Sequence, residues 1–138
     1  MNFNKQNHMQ KTEVLFFGSF ATGFFLLSSD IDIIIRNPSV KQKDLLTTVS
    51  HLFERIENCP FKLVSQILNA KVPILKCIHK KTGVKLDIAC NEVSGLAQIR
   101  HFEKANLIYP HFKYLYLFFK FFLRQRNLND TFTGGIGK

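Results

Sequence analysis

The chain has 138 residues, a length that accommodates one domain of ordinary size and excludes a multidomain machine. Hydrophobic residues make up 46% and charged residues 21% of it, which argues against disorder and against a low-complexity tail. With 19 Lys and Arg against 10 Asp and Glu, the formal charge is +9. Such an excess suits an anionic partner: nucleic acid, nucleotide phosphates or an acidic membrane surface.

Three classes of protein are disfavoured by local features. The three cysteines are an odd number without CxxC spacing, so neither a disulfide framework nor a zinc site is expected, and a reduced compartment is favoured. The N-terminal residues contain no apolar stretch of the kind found in signal peptides, so we do not expect secretion. The most apolar segment, 114–123, is about half the ~20 residues that a bilayer span needs, so no membrane span is expected.

The first half of the chain predicts two strands and two helical segments. Short apolar runs predict buried strands at 14–17 and 31–35, with a short helix or tight loop between them. Apolar residues then recur at helical spacing and predict a helix over 40–57. Ser39 followed by Gln42 reads as a capping box at the start of that helix.

The second half begins with a period-two pattern and ends with a helical one. Three strands are predicted, at 63–68, 72–78 and 84–89. The last two form a hairpin across a turn over 80–83. The helical period returns at Ser94, and Pro110 separates a second helix over 112–126. The whole predicts an α/β (α+β) fold, a mixed sheet of about five strands backed by helices.

Two acids stand at the start of the second predicted strand. Alternate side chains of a strand share a face, so Asp30 and Asp32 point the same way with their carboxylates a few ångströms apart. Their repulsion is tolerable if one carboxylate takes a proton or if a cation neutralises both, and Mg²⁺ prefers carboxylate oxygen. We interpret the pair as metal ligands. The alternative is two acids at an exposed strand end.

A third acid lies in the last predicted strand. Asp87 stands among β-forming residues, where a carboxylate without a partner is costly. If this strand neighbours that of Asp30 and Asp32, three carboxylates converge and can hold two Mg²⁺ ions about 3.5–4 Å apart, as in phosphoryl and nucleotidyl transfer. The alternative is an acid paired with Lys85 or Lys76.

The loop after the first strand suits a phosphate. Gly18 removes a side chain where phosphate would approach, and backbone N–H groups with the Ser19 hydroxyl can face a triphosphate. No Lys-Ser or Lys-Thr follows Gly23, so this is not a Walker loop. The alternative is a plain turn.

A family resemblance is carried by several of these segments together. Gly18-Ser19 followed by Ser29-Asp30-Ile31-Asp32 resembles the DNA polymerase β nucleotidyltransferase superfamily. Further segments narrow the resemblance to the Trf-type poly(A) polymerases, also called DNA polymerase sigma; they lie at 72–76, 81–88, 94–96, 119–129 and 133–137. The resemblance extends over nearly everything from 14 to 137.

The resemblance implies template-independent addition of nucleotides, chiefly adenylate, to RNA 3′ ends. It implies Mg²⁺ or Mn²⁺ as the metal cofactor and ATP as a substrate. The residues it singles out are a metal-binding catalytic triad, Asp30, Asp32 and Asp87, and a nucleotide-binding set, Gly18, Ser19, Gly95, Lys120 and Arg124. Asp87 is expected to help activate the attacking 3′ hydroxyl, and Lys120 with Arg124 to grip the triphosphate from one helix face.

The resemblance also implies an organisation and partners. We expect a catalytic palm over 1–93 and the first helices of an incomplete central domain over 94–138. In the family, a Ser-Tyr pair follows the Gly-Gly segment, and its tyrosine stacks on the incoming base. This pair has no counterpart here, so we expect a shortened chain. We expect the apolar side of its predicted helix over 112–126 to need a partner or to dimerise. Besides RNA and a nucleoside triphosphate, the implied partners are an RNA helicase and a zinc-knuckle protein. The implied location is nuclear, or otherwise cytoplasmic.

Two other functions stay open from the residues. One is a minimal nucleotidyltransferase that modifies a small molecule or a protein hydroxyl. The other is an inactive relic that binds RNA or a partner without turnover.

Overall fold

The computed structural model describes residues 12–92, 94–129 and 134–136, with the backbone alone at 94–96. Its helices and strands follow in the order β1 (Glu13–Phe17), α1 (Gly18–Thr22), β2 (Ile31–Arg36), α2 (Gln42–Arg55), β3 (Phe61–Ile67), β4 (Ile74–His79), β5 (Lys85–Cys90), α3 (Ser94–Ile108) and α4 (Phe112–Gln125). The predicted elements are confirmed, with boundaries shifted by a few residues.

The strands form one mixed sheet in the order β1-β2-β5-β4-β3. β2 and β5 run parallel, and the other three neighbouring pairs run antiparallel. The hairpin between β4 and β5 closes through a bond from the Gly83 N–H to the His79 carbonyl of 2.9 Å. Gly83 adopts a φ of +72°, a left-handed conformation that favours glycine. The predicted α+β fold is confirmed.

Helix α2 covers one face of the sheet and forms the core with it. The buried members of this core are Leu45, Leu46, Val49, Leu75, Cys77, Leu86, Ile88 and Cys90. Ile31, Ile33 and Ile35 of β2 pack against the same cluster. Because side chains alternate along a strand, the intervening residues, Asp32 and Asp87 among them, project from the opposite face.

The predicted capping box at the start of α2 is wrong. The N-cap residue is Lys41, and no side chain caps the helix. The Ser39 N–H instead donates to Oδ1 of Asn37 at 3.1 Å. Gln42 donates from Nε2 to the Cys90 carbonyl at 2.9 Å. The side chain expected to cap the helix therefore ties α2 to the end of β5.

An aromatic cluster joins the last two helices to the loop between α1 and β2. Phe24 is 3% exposed. Its ring lies 5.1, 5.6 and 5.3 Å, centroid to centroid, from the rings of Phe102, Phe112 and Tyr116. Burial of these rings holds α3 and α4 against this loop. Within the described part of the chain, no helix is long and apolar enough to cross a membrane.

Candidate active site

Asp32 and Asp87 lie side by side on the sheet. Asp32 of β2 is the register partner of Asp87 of β5 in the parallel ladder. Neighbouring strands lie about 4.8 Å apart, and paired residues project from the same face. Both side chains are partly shielded from solvent. The expectation that the strand of Asp87 neighbours that of the upstream acids is therefore confirmed.

Asp30 is not part of the strand ladder. It directly precedes β2, and it lines a cleft beside the sheet. Across residues 12–92 and 94–129, no three His, Cys, Asp or Glu side chains lie close enough together to hold one metal ion. The structure thus brings together two of the three expected acids, because the ladder fixes Asp32 and Asp87 while Asp30 lies on the adjoining loop.

Gly18 lies against the carboxylate of Asp32. Phe17, the residue before it, is the register partner of Asp32 on the other side of β2. A β-carbon at Gly18 would stand 2.9 Å from Cγ of Asp32, within van der Waals overlap. Gly18 also has a φ of +61°. Both constraints require glycine where β1 turns into α1.

Lys76 supplies a cation to the acid pair. It is the register partner of Asp87 on β4, and its Nζ lies 3.1 Å from Oδ2 of Asp87. The side chains of Lys76 and Asp87 are 39% and 16% exposed. Two carboxylates on the same face of neighbouring strands repel each other. A neighbouring ammonium offsets part of that repulsion.

Lys120 and Arg124 reach from α4 to the loop between α1 and β2. Nζ of Lys120 donates to the Phe24 carbonyl, and Nη1 of Arg124 donates to the Ser28 carbonyl, both at 3.0 Å. Residues four apart share a helix face, and both cations contact this one loop. Their expected contact with a triphosphate stays a prediction. Here they brace that loop from α4.

The remaining two predicted nucleotide-binding residues differ in what the structure describes. Ser19 lies in α1, and its carbonyl accepts bonds from Oγ1 of Thr22 at 3.1 Å and from the Phe24 N–H at 3.0 Å. Gly95 lies in the first turn of α3, where only the backbone is described.

A cleft of about 380 Å³ opens at Asp30, where β2 begins; Asp32 and Asp87 are not among its lining residues. The segment 25–31 and the β4–β5 turn at 82–85 both line it. Arg124 and the rings of Phe20 and Phe25 complete the lining. The cleft joins an acid, two cations and aromatic rings, a mixture that suits a charged ligand with a flat ring.

The donors fit a hard divalent ion. Asp32 and Asp87 present carboxylate oxygens, the ligands that Mg²⁺ prefers, from one face of the sheet. Because Gly18 has no side chain, the Asp32 carboxylate can take the space that the β-carbon of any other residue would fill. The ion pair with Lys76 shows that the Asp87 carboxylate already attracts a cation.

Two residues gained importance only from the structure. Lys76 stood beside Lys85 as an alternative partner of Asp87, and the cross-strand register selects Lys76 because Lys85 pairs with Ile78. Asn91 was missed entirely. Its side chain accepts from the Asn37 N–H at 2.7 Å and donates to the carbonyls of Asn37 and Val40 at 3.0 and 2.7 Å. An asparagine directly after a strand was the available signal.

The sequence of this palm matches a known family. Residues 3–101 match the family described as "Poly(A) RNA polymerase, mitochondrial-like, central palm domain". The chain belongs to this family of the nucleotidyltransferase superfamily. The matched range includes the acid pair, Gly18 and Lys76. The resemblance inferred from the motifs is thereby confirmed.

Curated relatives are poly(A) RNA polymerases. The chain is 34% identical over 127 residues to poly(A) RNA polymerase cid14 of Schizosaccharomyces pombe, covering 87% of this chain and 18% of that protein. It is 34% identical over 130 residues to poly(A) RNA polymerase gld-4 of Caenorhabditis elegans, covering 92% and 15%. The chain spans about a fifth or less of the length of these two relatives.

Solved structures share the fold. The polymerase core of TRAMP, described as an RNA surveillance complex, superposes with a TM-score of 0.72 at 26% identity, covering 93% of this chain and 40% of that one. The Cid1 poly(U) polymerase with Mg and 3′-dATP bound superposes with a TM-score of 0.77 at 21% identity, covering 93% and 39%. This second likeness shows the fold alone.

Proposed function

We propose that the chain carries the catalytic palm of a divalent-metal-dependent, template-independent nucleotidyltransferase that adds adenylate to RNA 3′ ends. The carrying observation is the register pairing of Asp32 with Asp87 on one face of a palm-family sheet. The poly(A) RNA polymerases to which the chain is 34% identical support adenylate as the nucleotide added.

The acid pair is proposed to act at the reacting atoms. Asp32 and Asp87 would hold Mg²⁺ or Mn²⁺, and Asp30, on the adjacent loop, stays a predicted third ligand. When bound, the metal supplies positive charge at the α-phosphate and favours the deprotonated 3′ oxygen. Asp87 accepts the 3′ hydroxyl proton as the 3′ oxygen bonds to the α-phosphorus and pyrophosphate leaves with the electrons of the broken bond.

The nucleotide's phosphates are proposed to lie between α1 and α4. The backbone of Gly18 and Ser19, with the Ser19 hydroxyl, would face the phosphates, and Lys120 with Arg124 would supply two charged donors from α4. Both cations now bind the carbonyls of Phe24 and Ser28, so their side chains already extend over this loop. Exchanging a neutral carbonyl for a phosphate oxygen strengthens each bond. Gly95 is proposed as a further nucleotide contact.

The wider setting is proposed from the relatives. A palm over 1–93 followed by the first helices of a central domain stays a prediction, as does the nuclear location. The 26% likeness to the TRAMP polymerase core supports a role in RNA surveillance, with the RNA helicase and zinc-knuckle partners still predictions.

The test is primer extension by the purified chain with ATP, Mg²⁺ and an RNA oligonucleotide. Asp32→Asn and Asp87→Asn each preserve side-chain size and remove a charged ligand. We expect each to lower the extension rate by about 10³-fold, because the variant loses the metal that stabilises the charge of the transition state. Asp44→Asn is the matched control. Asp44 is an exposed acid in the first turn of α2, and α2 packs on the face of the sheet opposite to the acid pair.

Three outcomes decide the proposal. Equal extension by wild type and Asp32→Asn contradicts the metal mechanism. Labelling of protein or of a small molecule in place of RNA, when labelled ATP is offered to all three, favours a minimal nucleotidyltransferase. A folded chain without Mg²⁺-dependent ATP binding favours a non-catalytic RNA-binding role. Parallel reactions with ATP, UTP, CTP and GTP give the base preference.

A further inference from the structure

Lys76 stands in line with the acid pair across three strands. Asp32 of β2 pairs with Asp87 of β5, and Asp87 pairs with Lys76 of β4. Because directly paired residues project from the same face, the order of charges across the sheet is minus, minus, plus. The ammonium of Lys76 bonds Oδ2 of Asp87, the carboxylate that also faces Asp32.

The surroundings of Asp87 favour a cation at the position of the Lys76 ammonium. The Asp87 side chain is 16% exposed, so water screens its charge poorly, and Asp32 beside it adds a second negative charge. Lysine carries a compact point charge on a flexible stem. The Lys76 side chain is 39% exposed, which leaves its ammonium a path to solvent when another cation takes its place.

We propose that Lys76 is a positioning residue that acts as a built-in counter-ion, which a divalent cation displaces from Asp87. This inference rests on the metal site of the proposed function. In the metal-free chain, Lys76 fixes the Asp87 carboxylate beside Asp32 and holds the site in shape. Metal binding then competes with the ammonium for the same carboxylate, so Lys76 lowers the affinity for the ion while it keeps the site ordered.

The first measurement is binding of Mn²⁺ alone, followed by calorimetry or electron paramagnetic resonance. Lys76→Met removes the competing charge and should tighten Mn²⁺ binding by roughly 5-fold or more. Lys76→Arg keeps the charge, and its affinity should stay within about 2-fold of wild type. Lys62→Met is the matched control, because Lys62 is an exposed lysine of β3 that pairs with Ile78 rather than with an acid. It should leave the affinity unchanged.

The second measurement is thermal unfolding with and without Mn²⁺. Without metal, Lys76→Met should melt below wild type, because the acid pair has lost its counter-ion. Saturating Mn²⁺ should remove most of that difference, since the metal supplies the charge and stabilises the state that it binds. If Lys76 were only structural, Lys76→Met would melt below wild type by the same amount with and without Mn²⁺. Lys76→Gln repeats the comparison with a polar side chain should Lys76→Met fail to fold.

Several outcomes overturn the inference. Unchanged or weaker Mn²⁺ binding by Lys76→Met contradicts it, as does a melting deficit that Mn²⁺ does not alter. If neither wild type nor Lys76→Met binds Mn²⁺, the inference is also contradicted. Primer extension decides the proposed function separately. In an Asp87→Asn background, Lys76→Met should no longer tighten Mn²⁺ binding, because the two residues act through one contact.

Discussion

The Asp32 side chain fills the space that a β-carbon on Gly18 would need. That β-carbon would lie 2.9 Å from Cγ of Asp32 and closer still to its Oδ2. The strand ladder fixes the backbone of Asp32, so a β-carbon at residue 18 must be accommodated by movement of the Asp32 side chain. The Asp32 carboxylate therefore cannot keep its position if residue 18 carries any side chain. This makes the β1–α1 junction part of the acid site.

Gly18→Ala is predicted to disable the site more than it unfolds the chain. The left-handed φ of +61° costs an alanine about 1–2 kcal/mol of stability, and the clash displaces Asp32. We expect Mn²⁺ affinity and ATP-dependent extension to fall at least 10-fold while the chain stays folded by circular dichroism.

Gly83→Ala is the control for this prediction. Gly83 has a φ of +72°, so it carries the same backbone cost, but in the described part of the chain no atom beyond its two chain neighbours lies within 4 Å of the position that a β-carbon would take. It should lose similar stability in urea and keep its affinity for Mn²⁺. Equal losses of affinity in both variants would show that backbone strain, rather than contact with Asp32, explains the effect.

Local patterns in the sequence predicted the elements but could not fix the contacts between strands. Apolar runs and alternation placed the five strands, since burial imposes those periods on each segment separately. The strand order and the pairing of Asp32 with Asp87 depend on distant residues. For the same reason Lys85, which shares a face with Asp87 on its own strand, could not be distinguished from Lys76 as its partner. The capping box failed because α2 begins at Gln42, after the N-cap Lys41, so Ser39 and Gln42 do not stand at the N-cap and N3 positions.

Asn91→Ala is predicted to destabilise the whole palm. The Asn91 side chain makes three hydrogen bonds that join the ends of β2 and β5 to the chain before α2. Asn91 also has a φ of +51°, a conformation that asparagine tolerates better than alanine. Leaving these partners unsatisfied should lower the free energy of unfolding by about 2–4 kcal/mol, measured by urea denaturation.

Asn58→Ala separates the two contributions to that loss. Asn58 has a φ of +56° and lies in an exposed turn, so its replacement carries mainly the backbone cost. We expect a loss of about 1 kcal/mol there. A loss at Asn91 no larger than the loss at Asn58 would contradict the role assigned to its hydrogen bonds.

The buried thiols are predicted to make the chain sensitive to alkaline pH. Burial, with smaller contributions from Cys59 and Asp87, raises the pKa of Cys77 to about 11. Burial raises the pKa of Cys90 to about 12. The ordinary value is 9.0, so the folded chain holds both protons more tightly than the unfolded chain. The contribution of the two protonated thiols to the free energy of unfolding is fully present below pH 9 and is lost as the pH rises through 11 and 12.

The measurement is urea unfolding across this alkaline range, with Cys77→Ala/Cys90→Ala for comparison. The double variant starts less stable because it leaves small cavities in the core. Its stability should nevertheless fall less steeply with pH than that of wild type, because two of the titrating groups are gone. Parallel pH dependences in the two proteins would exclude the thiols as the cause.

The exposed side of α4 is predicted to drive self-association. Leu115, Phe118, Phe119 and Phe121 are 57%, 61%, 52% and 51% exposed, and the rings of Phe118 and Phe122 stack at 6.4 Å. Apolar patches of this kind bind partners or aggregate. Leu115→Lys/Phe118→Lys should therefore shift sedimentation of the chain toward the monomer and reduce binding of a hydrophobic dye, with stability changed by less than about 0.5 kcal/mol. Phe24→Ala, on the buried aromatic cluster, should instead cost about 3–5 kcal/mol. A wild-type chain that stays monomeric at every concentration and binds no dye would show that this side of α4 is not adhesive.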